Sequence, residues 1–448
     1  MNGSTESAIR GLRTPDGAYR PVMMWFWNGP VTKAGIEEQL ALLKGQNITD
    51  FFVHPAEGME LEYLSDEFME MVVHAVRFAK ANGMHYWIYD EYNWPSGVAG
   101  EKVLIDHPEY HCRILSEETT RVYPEALGVL PVDIFLGAQV VRVDDPAAAS
   151  IDVTDACRII GSKCFWKNTT GAEVVLHVQS SKHHDRVWPF AVGCRSSHAT
   201  PGYVDLTNAA ATRCFIQYTH ERYRAFLGEE FGRTVLGVFT DEPGFMWKCY
   251  PVSDALIAGL AAIYGSATPR LLHLLLKENG ERAIAFRRDY YAVLHRLMLE
   301  NFLAVTSRWC EANHLLFTGH LNGEESLLTN LNDGETLPRL RGFGVPGVDL
   351  IWITVRMFWP DFNTLCATIA NVSHFSGKER LLCETFTLST WSLTMQHMRR
   401  VASRIVASGV NMLQFMGCHY SFAGIKTSHP GPDNGVHNVL FPYYHLFN

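Results

Sequence analysis

Short apolar runs rich in β-branched and aromatic residues alternate along most of the chain with longer segments whose apolar positions recur every three or four residues. Met23–Asn28, Ile48–His54, Met84–Glu91 and Val235–Thr240 read as the first four strands. Leu315–Leu321, Val348–Ile353, Leu381–Phe386 and Asn411–Tyr420 read as the next four, each preceded by a helical pattern. One helix carries its own start and stop signals. Ser65 caps it, Asp66 and Glu67 suit its positive end, Phe68, Met71, Val72, Ala75, Val76 and Ala79 form its stripe, and Gly83 ends it. Ile36, Leu40 and Leu43 make an earlier stripe, and Met395, Met398, Val401 and Ile405 make the last. Strands and helices in regular alternation predict parallel strands joined by crossover helices, and eight such units predict an α/β fold of the TIM (β/α)8 barrel type.

The rhythm changes between Glu117 and His198. Alternating runs such as Gln139–Val143 and Glu173–Val178, separated by Pro, Gly, Asp and Ser, predict a small antiparallel β domain inserted after strand 3. The expected organisation is barrel over 1–116, insertion over 117–200 and barrel again over 201–448. Residues 421–448 hold Gly, Pro, Asn and His but no helical stripe. The barrel is therefore expected to lack its last helix, with a partner subunit of a homo-oligomer shielding that side.

Of the 448 residues 47% are apolar and 19% charged, a balance that buries a large core and excludes intrinsic disorder. Thirty-eight basic against 47 acidic residues leave a formal charge of −9 with no long basic run, so nucleic acid is not an expected partner. The apolar stretch Leu256–Tyr264 falls short of the ~20 residues that cross a bilayer, and the N-terminus has no apolar signal segment. No membrane partner and a cytoplasmic location are expected. Ten cysteines without CxxC pairs read as reduced, buried thiols, and His183-His184 reads as a solvated loop pair.

In a TIM barrel the chemistry sits at the C-terminal ends of the strands. Those ends carry Trp27 and Asn28, then His54 with Glu57, then Asp90 and Glu91 running into Trp94. Asp241 and Glu242 follow strand 4, His320 and Glu325 strand 5, Glu384 strand 7 with Trp391 beyond it, and His419 and Tyr420 strand 8. An ionised acid in a dry place costs several kcal/mol unless it is paired or functional, so this convergence points to a site. Paired carboxylates with aromatic platforms are what glycosidic-bond cleavage needs: one acid protonates the leaving oxygen, the other attacks the sugar or activates water, and rings stack on sugar faces. A metal-dependent hydrolase is the competing expectation, since His54, Asp90, His320 and Glu384 can be drawn as ligands, although HxH and HExxH spacings are missing. A glycan-binding barrel without turnover is the third.

Several segments carry a family resemblance: Phe26-Trp-Asn-Gly29, Tyr89-Asp-Glu-Tyr-Asn-Trp-Pro-Ser-Gly97, Thr219-His-Glu-Arg-Tyr223, Phe239-Thr-Asp-Glu-Pro243, Phe317-Thr-Gly-His320 and Cys383-Glu-Thr385. They resemble the α-L-rhamnosidase-like glycoside hydrolases of family 106, broadly akin to clan A. The resemblance implies a barrel with an inserted β domain that removes a terminal sugar, rhamnose or a related one, from an oligosaccharide or glycoside. It further implies Glu242 as general acid, Glu384 as base or nucleophile, Asp241 as the charge that raises the proton affinity of Glu242, and Glu325 as a reserve acid. Asp90, Glu91, His54, His320 and His419 would bind sugar hydroxyls. No cofactor is required by the sequence itself; calcium is implied by the resemblance, without assignable ligands.

Overall fold

The computed structural model describes residues 19–146, 149–184, 202–245, 249–276, 280–321, 336–351, 361–386, 388–423 and 433–446. Eight parallel strands close into a barrel: β1 (Val22–Trp27), β2 (Asp50–Pro55), β3 (His85–Tyr89), β11 (Val235–Thr240), β12 (Leu316–Gly319), β13 (Val345–Leu350), β14 (Leu382–Thr385) and β15 (Met412–His419). Each overlaps one of the eight expected runs. Closure comes from β1, which pairs in parallel with both β2 and β15.

Helix α1 (Lys33–Gly45) follows β1 and α2 (Asp66–Asn82) follows β2. In α2 the Ser65 hydroxyl accepts from the Phe68 N–H and Gly83 closes the helix at φ 65°, so its signals act as the sequence implies. Its buried stripe contains Met69 rather than Met71, which is half-buried. In α1 the stripe of Ile36, Leu40 and Leu43 includes Gln39, whose side-chain oxygen accepts the Trp25 indole N–H at 2.8 Å.

The insertion lies between β3 and β11. Strands β4 (Arg113–Val122), β6 (Ile134–Arg142), β7 (Ile151–Asp152) and β10 (Val174–His183) form one sheet, and β5 (Leu127–Pro131), β8 (Arg158–Ile160) and β9 (Lys163–Lys167) another. Val122, Val140, Trp166, Leu176 and Val178 belong to a core of their own between them. His183-His184 closes β10, with His183 exposed and His184 buried, rather than forming a solvated pair. None of the nine described cysteines is in a disulfide, and six of them are buried.

The run Asp254–Leu275 is longer than the sequence reading allowed. By length and mean hydropathy of 1.3 it meets the measure of a bilayer-crossing segment, though Gly265 and Pro269 interrupt it. After β15 the described residues hold a 3-10 turn, Phe441–Leu446, in place of a last barrel helix. Phe441 and Tyr444 pack there, Tyr444 edge-on against Phe415 of β15.

Two apolar layers follow from the alternation of side chains along each strand. Trp25, Trp27, Phe51, Val53, Tyr86 and Ile88 join the helices outside, whereas Met24, Phe26, Phe52, Trp87, Tyr89, Phe239, Leu382 and Met412 fill the interior. Gly237 makes room for that filling. A Cβ there would lie 2.4 Å from the Leu316 carbonyl oxygen and 2.5 Å from the Trp87 ring. Gly237→Ala is expected to lower stability by about 1–3 kcal/mol, read as a drop in melting temperature with the fold retained.

Candidate functional site

The inward parity of each strand continues past its apolar positions into polar ones. It places His54 after Phe52, Tyr89 after Trp87, Asp241 after Phe239, and Glu384 after Leu382, so they meet at the C-terminal mouth. Gln414, one inward step beyond Met412 on β15, joins them.

His320 stands at the centre. Its Nε2 lies 3.2 Å from Asp241 Oδ1 and 3.1 Å from Glu384 Oε2, with all three side chains nearly excluded from solvent. One imidazole nitrogen thus serves two carboxylates. The Gln414 amide donates to the same Glu384 oxygen at 3.3 Å, and the Tyr89 hydroxyl donates to Asp241 Oδ2 at 2.5 Å. Glu242 follows Asp241 directly, so strand alternation alone would turn it away. Its backbone is left-handed at φ 44°, which breaks the alternation. Carboxylate oxygens of Asp241 and Glu242 and a nitrogen of His320 consequently lie within 4.8 Å of one another. Glu242 and Glu384 therefore stand around one imidazole.

The Asp241 charge acts on Glu384. Burial raises the Glu384 pKa, His320 works against that rise, and the Asp241 charge adds to it. Burial also opposes ionisation of Asp241, but His320 and Tyr89 outweigh it and hold this carboxyl below its ordinary value. Proton affinity thus accumulates on Glu384.

Two further histidines face the mouth. His54 is fully buried between the rings of Phe26 and Tyr89, at 4.7 and 4.0 Å between centroids, and neither of its nitrogens has a hydrogen-bond partner among the described residues. Burial lowers its pKa to about 4, so it is a neutral imidazole. His419 is oriented by Asp433, whose Oδ1 lies 3.1 Å from Nδ1 and accepts the His419 backbone N–H at 2.8 Å. Its Nε2 is buried and has no hydrogen-bond partner among the described residues. Phe422 stands against His419 at 5.1 Å and against Trp391 at 6.2 Å, and Trp391 is 62% exposed on the rim. Trp94 is half-buried in the loop after β3.

Other expected site residues lie elsewhere. Trp27 is wholly buried on the outer face of β1, against Trp25 and Phe68, and is no sugar platform. Tyr420 also points outward: its hydroxyl accepts the Thr32 N–H at 3.0 Å and its ring packs on Trp25. Asn28 is spent as a clamp, its amide donating to the Ser421 carbonyl at 2.8 Å and accepting the Ser421 N–H at 3.0 Å. Glu91 is a loop anchor instead of a sugar ligand. Its carboxylate accepts the backbone N–H groups of Tyr92, Gly97, Val98, Ala99 and Gly100 at 2.5–3.1 Å. Burial pushes its pKa up to about 7, and those N–H groups restrain the rise. Asp90, fully buried, takes the Ser96 hydroxyl proton at 2.6 Å, and Ser96 Oγ in turn accepts the Asp241 N–H at 2.8 Å. Asp90 accordingly shapes the support of Asp241 and does not face the mouth. Glu325 lies outside the described residues.

Tyr89, Gln414 and Asp433 belong to the site although sequence reasoning passed them over. Parity counted forward from the inward apolar residues Trp87 and Met412 would have found the first two. Asp433 lies 14 residues beyond His419 in a segment without strand pattern.

Asp241, Glu242 and His320 are also the described side chains that could hold a cation together. Two carboxylates and an imidazole make a mixed donor set, short of the six to eight oxygens that calcium takes.

No family description and no curated sequence matches the chain. Among solved structures, the rhamnosidase from Novosphingobium sp. PP1Y aligns with a TM-score of 0.67 at 13% identity, over 98% of this chain and 59% of that one. The endo-beta-1,4-mannanase from Thermotoga petrophila aligns at a TM-score of 0.41 and 9% identity, over 95% and 76%. At 13% identity the first likeness speaks for the fold, and this chain spans 59% of that neighbour's length.

At pH 8, above the Glu91 pKa of about 7, Glu91→Gln is expected to lower the melting temperature markedly, by the equivalent of about 2–3 kcal/mol, because a neutral amide cannot replace an anion that accepts several N–H groups. A second expectation concerns pH. His54 has a folded pKa of about 4 against an ordinary 6.5, so its neutral form favours the fold above pH 6.5. That contribution, about 3 kcal/mol, is lost as pH falls from 6.5 toward 4, because the unfolded chain takes the proton first. Melting curves at pH 7 and 4.5 should show the advantage of wild type over His54→Gln shrinking at the lower pH.

Proposed function

We propose that the protein is a glycoside hydrolase that removes a terminal sugar by a two-carboxylate mechanism. The observation that carries this reading is the placing of Glu242 and Glu384 around His320 at the mouth of a closed barrel. Glu242, half-buried on the mouth side of its turn, serves as the acid that protonates the leaving oxygen. Glu384, deeper and held by His320 and Gln414, is the second carboxylate, as nucleophile or as base toward water. Asp241 stays ionised and offsets positive charge on the sugar ring as it develops.

The sugar site has an apolar and a polar aspect. Phe26 lies between His54 and His419, with ring centroids 4.7 and 5.0 Å away. Their imidazole nitrogens hydrogen-bond hydroxyls while the phenyl ring takes an apolar edge, which suits a deoxysugar such as rhamnose. Trp391 and Phe422 line the side open to solvent, where the remainder of an oligosaccharide or glycoside would lie.

The acid cluster favours a second reading, a cation-dependent barrel hydrolase using Asp241, Glu242 and His320. Both readings meet in one experiment. Wild type is assayed on a panel of nitrophenyl glycosides that includes the α-L-rhamnoside, with NMR observation of the first-formed anomer. Glu242→Gln and Glu384→Gln are expected to lose about 10³-fold or more in kcat with unchanged melting behaviour. Because Glu384 must be ionised to act and its pKa is raised, the acidic limb of kcat/KM should lie above the ordinary glutamate range. Full activity in both variants would overturn the assignment, and activity abolished by chelator and restored by zinc or manganese would favour the second reading.

A further inference from the structure

Behind β3, on the outer side of the barrel and away from the mouth, a set of polar atoms is sealed from solvent. It comprises the Tyr63, Tyr86 and Tyr223 hydroxyls, Asp90 Oδ2 and His220 Nε2. Among the described residues none of these atoms makes a well-aligned hydrogen bond, and the side chains are 0–6% exposed. They are neighbours. The Tyr223 hydroxyl stands close to those of Tyr63 and Tyr86 without a well-aligned hydrogen bond to either, Asp90 lies near both Tyr63 and Tyr223, and His220 Nε2 lies 4.0 Å from Asp90 Oδ2. Phe215 and Trp309 wall the His220 ring at 5.5 and 5.0 Å.

The hydrogen-bond inventory is one-sided at His220. The Thr219 hydroxyl donates to the Phe215 carbonyl at 2.9 Å, so at 2.7 Å from His220 Nδ1 it acts as acceptor. Nδ1 therefore carries the proton and Nε2 presents a lone pair. Its distance to Asp90 is beyond direct hydrogen-bond reach. Leaving a buried hydroxyl or ring nitrogen unpaired is costly, and this cluster holds five such atoms. A buried water makes about 2–4 hydrogen bonds, so one or two waters meet the need.

We infer that Tyr63, Tyr86, Tyr223, Asp90 and His220 form an internal water-binding site between β3 and the helix His220–Leu227. A neutral occupant suits the charges. Burial drives the His220 pKa down to about 3, so its imidazole is uncharged, and burial likewise works against the anionic form of Asp90. The site also backs onto the mouth: Asp90 Oδ1 takes the Ser96 hydroxyl whose oxygen holds the Asp241 N–H. Water here completes the support beneath Asp241. The inference rests on packing alone and stands whatever reaction the mouth performs.

The test is a crystal structure of the full chain at high resolution, together with melting temperatures of Tyr86→Phe and Tyr223→Phe. Ordered density about 2.7–3.2 Å from at least three of the five atoms is expected. Each phenylalanine variant should melt a few degrees lower than wild type, since it removes a partner from a satisfied network. Absence of density would overturn the inference, as would a rise in melting temperature, because deleting a hydroxyl from a dry pocket relieves an unpaired group. Density with contacts of about 2.0–2.6 Å would mark a bound cation and overturn it equally.

Discussion

Side-chain alternation on a closed ring of parallel strands governs this protein. Once β1 pairs with both β2 and β15, no strand can slip by one residue without sending its polar end outward and its outer apolar set inward. The register that buries Phe52, Trp87, Phe239, Leu382 and Met412 inside the barrel is the same register that aims His54, Tyr89, Asp241, Glu384 and Gln414 at its mouth. Core and site are thus one choice of parity, and the apolar filling carries the cost of collecting acids in one place.

The acids remain tolerable because each has a distinct environment. Glu91 is neutralised by backbone N–H groups from its own loop. Asp241 is held ionised by His320 and Tyr89, whereas burial and the neighbouring charge of Asp241 leave Glu384 with the greater appetite for a proton. Neighbouring carboxyl groups are thus held at different proton affinities within one small site. The shared imidazole also fixes their spacing, since His320 Nε2 touches two of them at nearly equal distance.

The loop after β3 ties this arrangement to its surroundings. Glu91 folds the loop on itself, and Ser96 bonds Asp90 on one side and the Asp241 backbone on the other. The Tyr203 hydroxyl, on the segment that returns toward the barrel, bonds the Ser96 carbonyl. A motif that reads as a cluster of sugar ligands is in fact largely the scaffold beneath one carboxylate.

Local patterning was enough to determine the eight strands, the capped helix Asp66–Asn82 and the antiparallel insertion, because each depends on periodicities of two or 3.6 residues that a linear string displays. It also named Asp241, Glu242, His320 and Glu384. Which polar residues at a strand end face inward was decided by tertiary structure. Trp27 and Tyr420 sit at the right heights but on the helix side, and Asn28, Asp90 and Glu91 are consumed by backbone or by a neighbouring hydroxyl. Glu242 reaches the mouth through one left-handed residue, and Asp433 reaches His419 from a loop with no periodicity. A sequence fixes how often a side chain recurs; only closure of the ring fixes which of its two faces is inside, and there solvent exclusion decides whether a carboxylate is a ligand or a bolt.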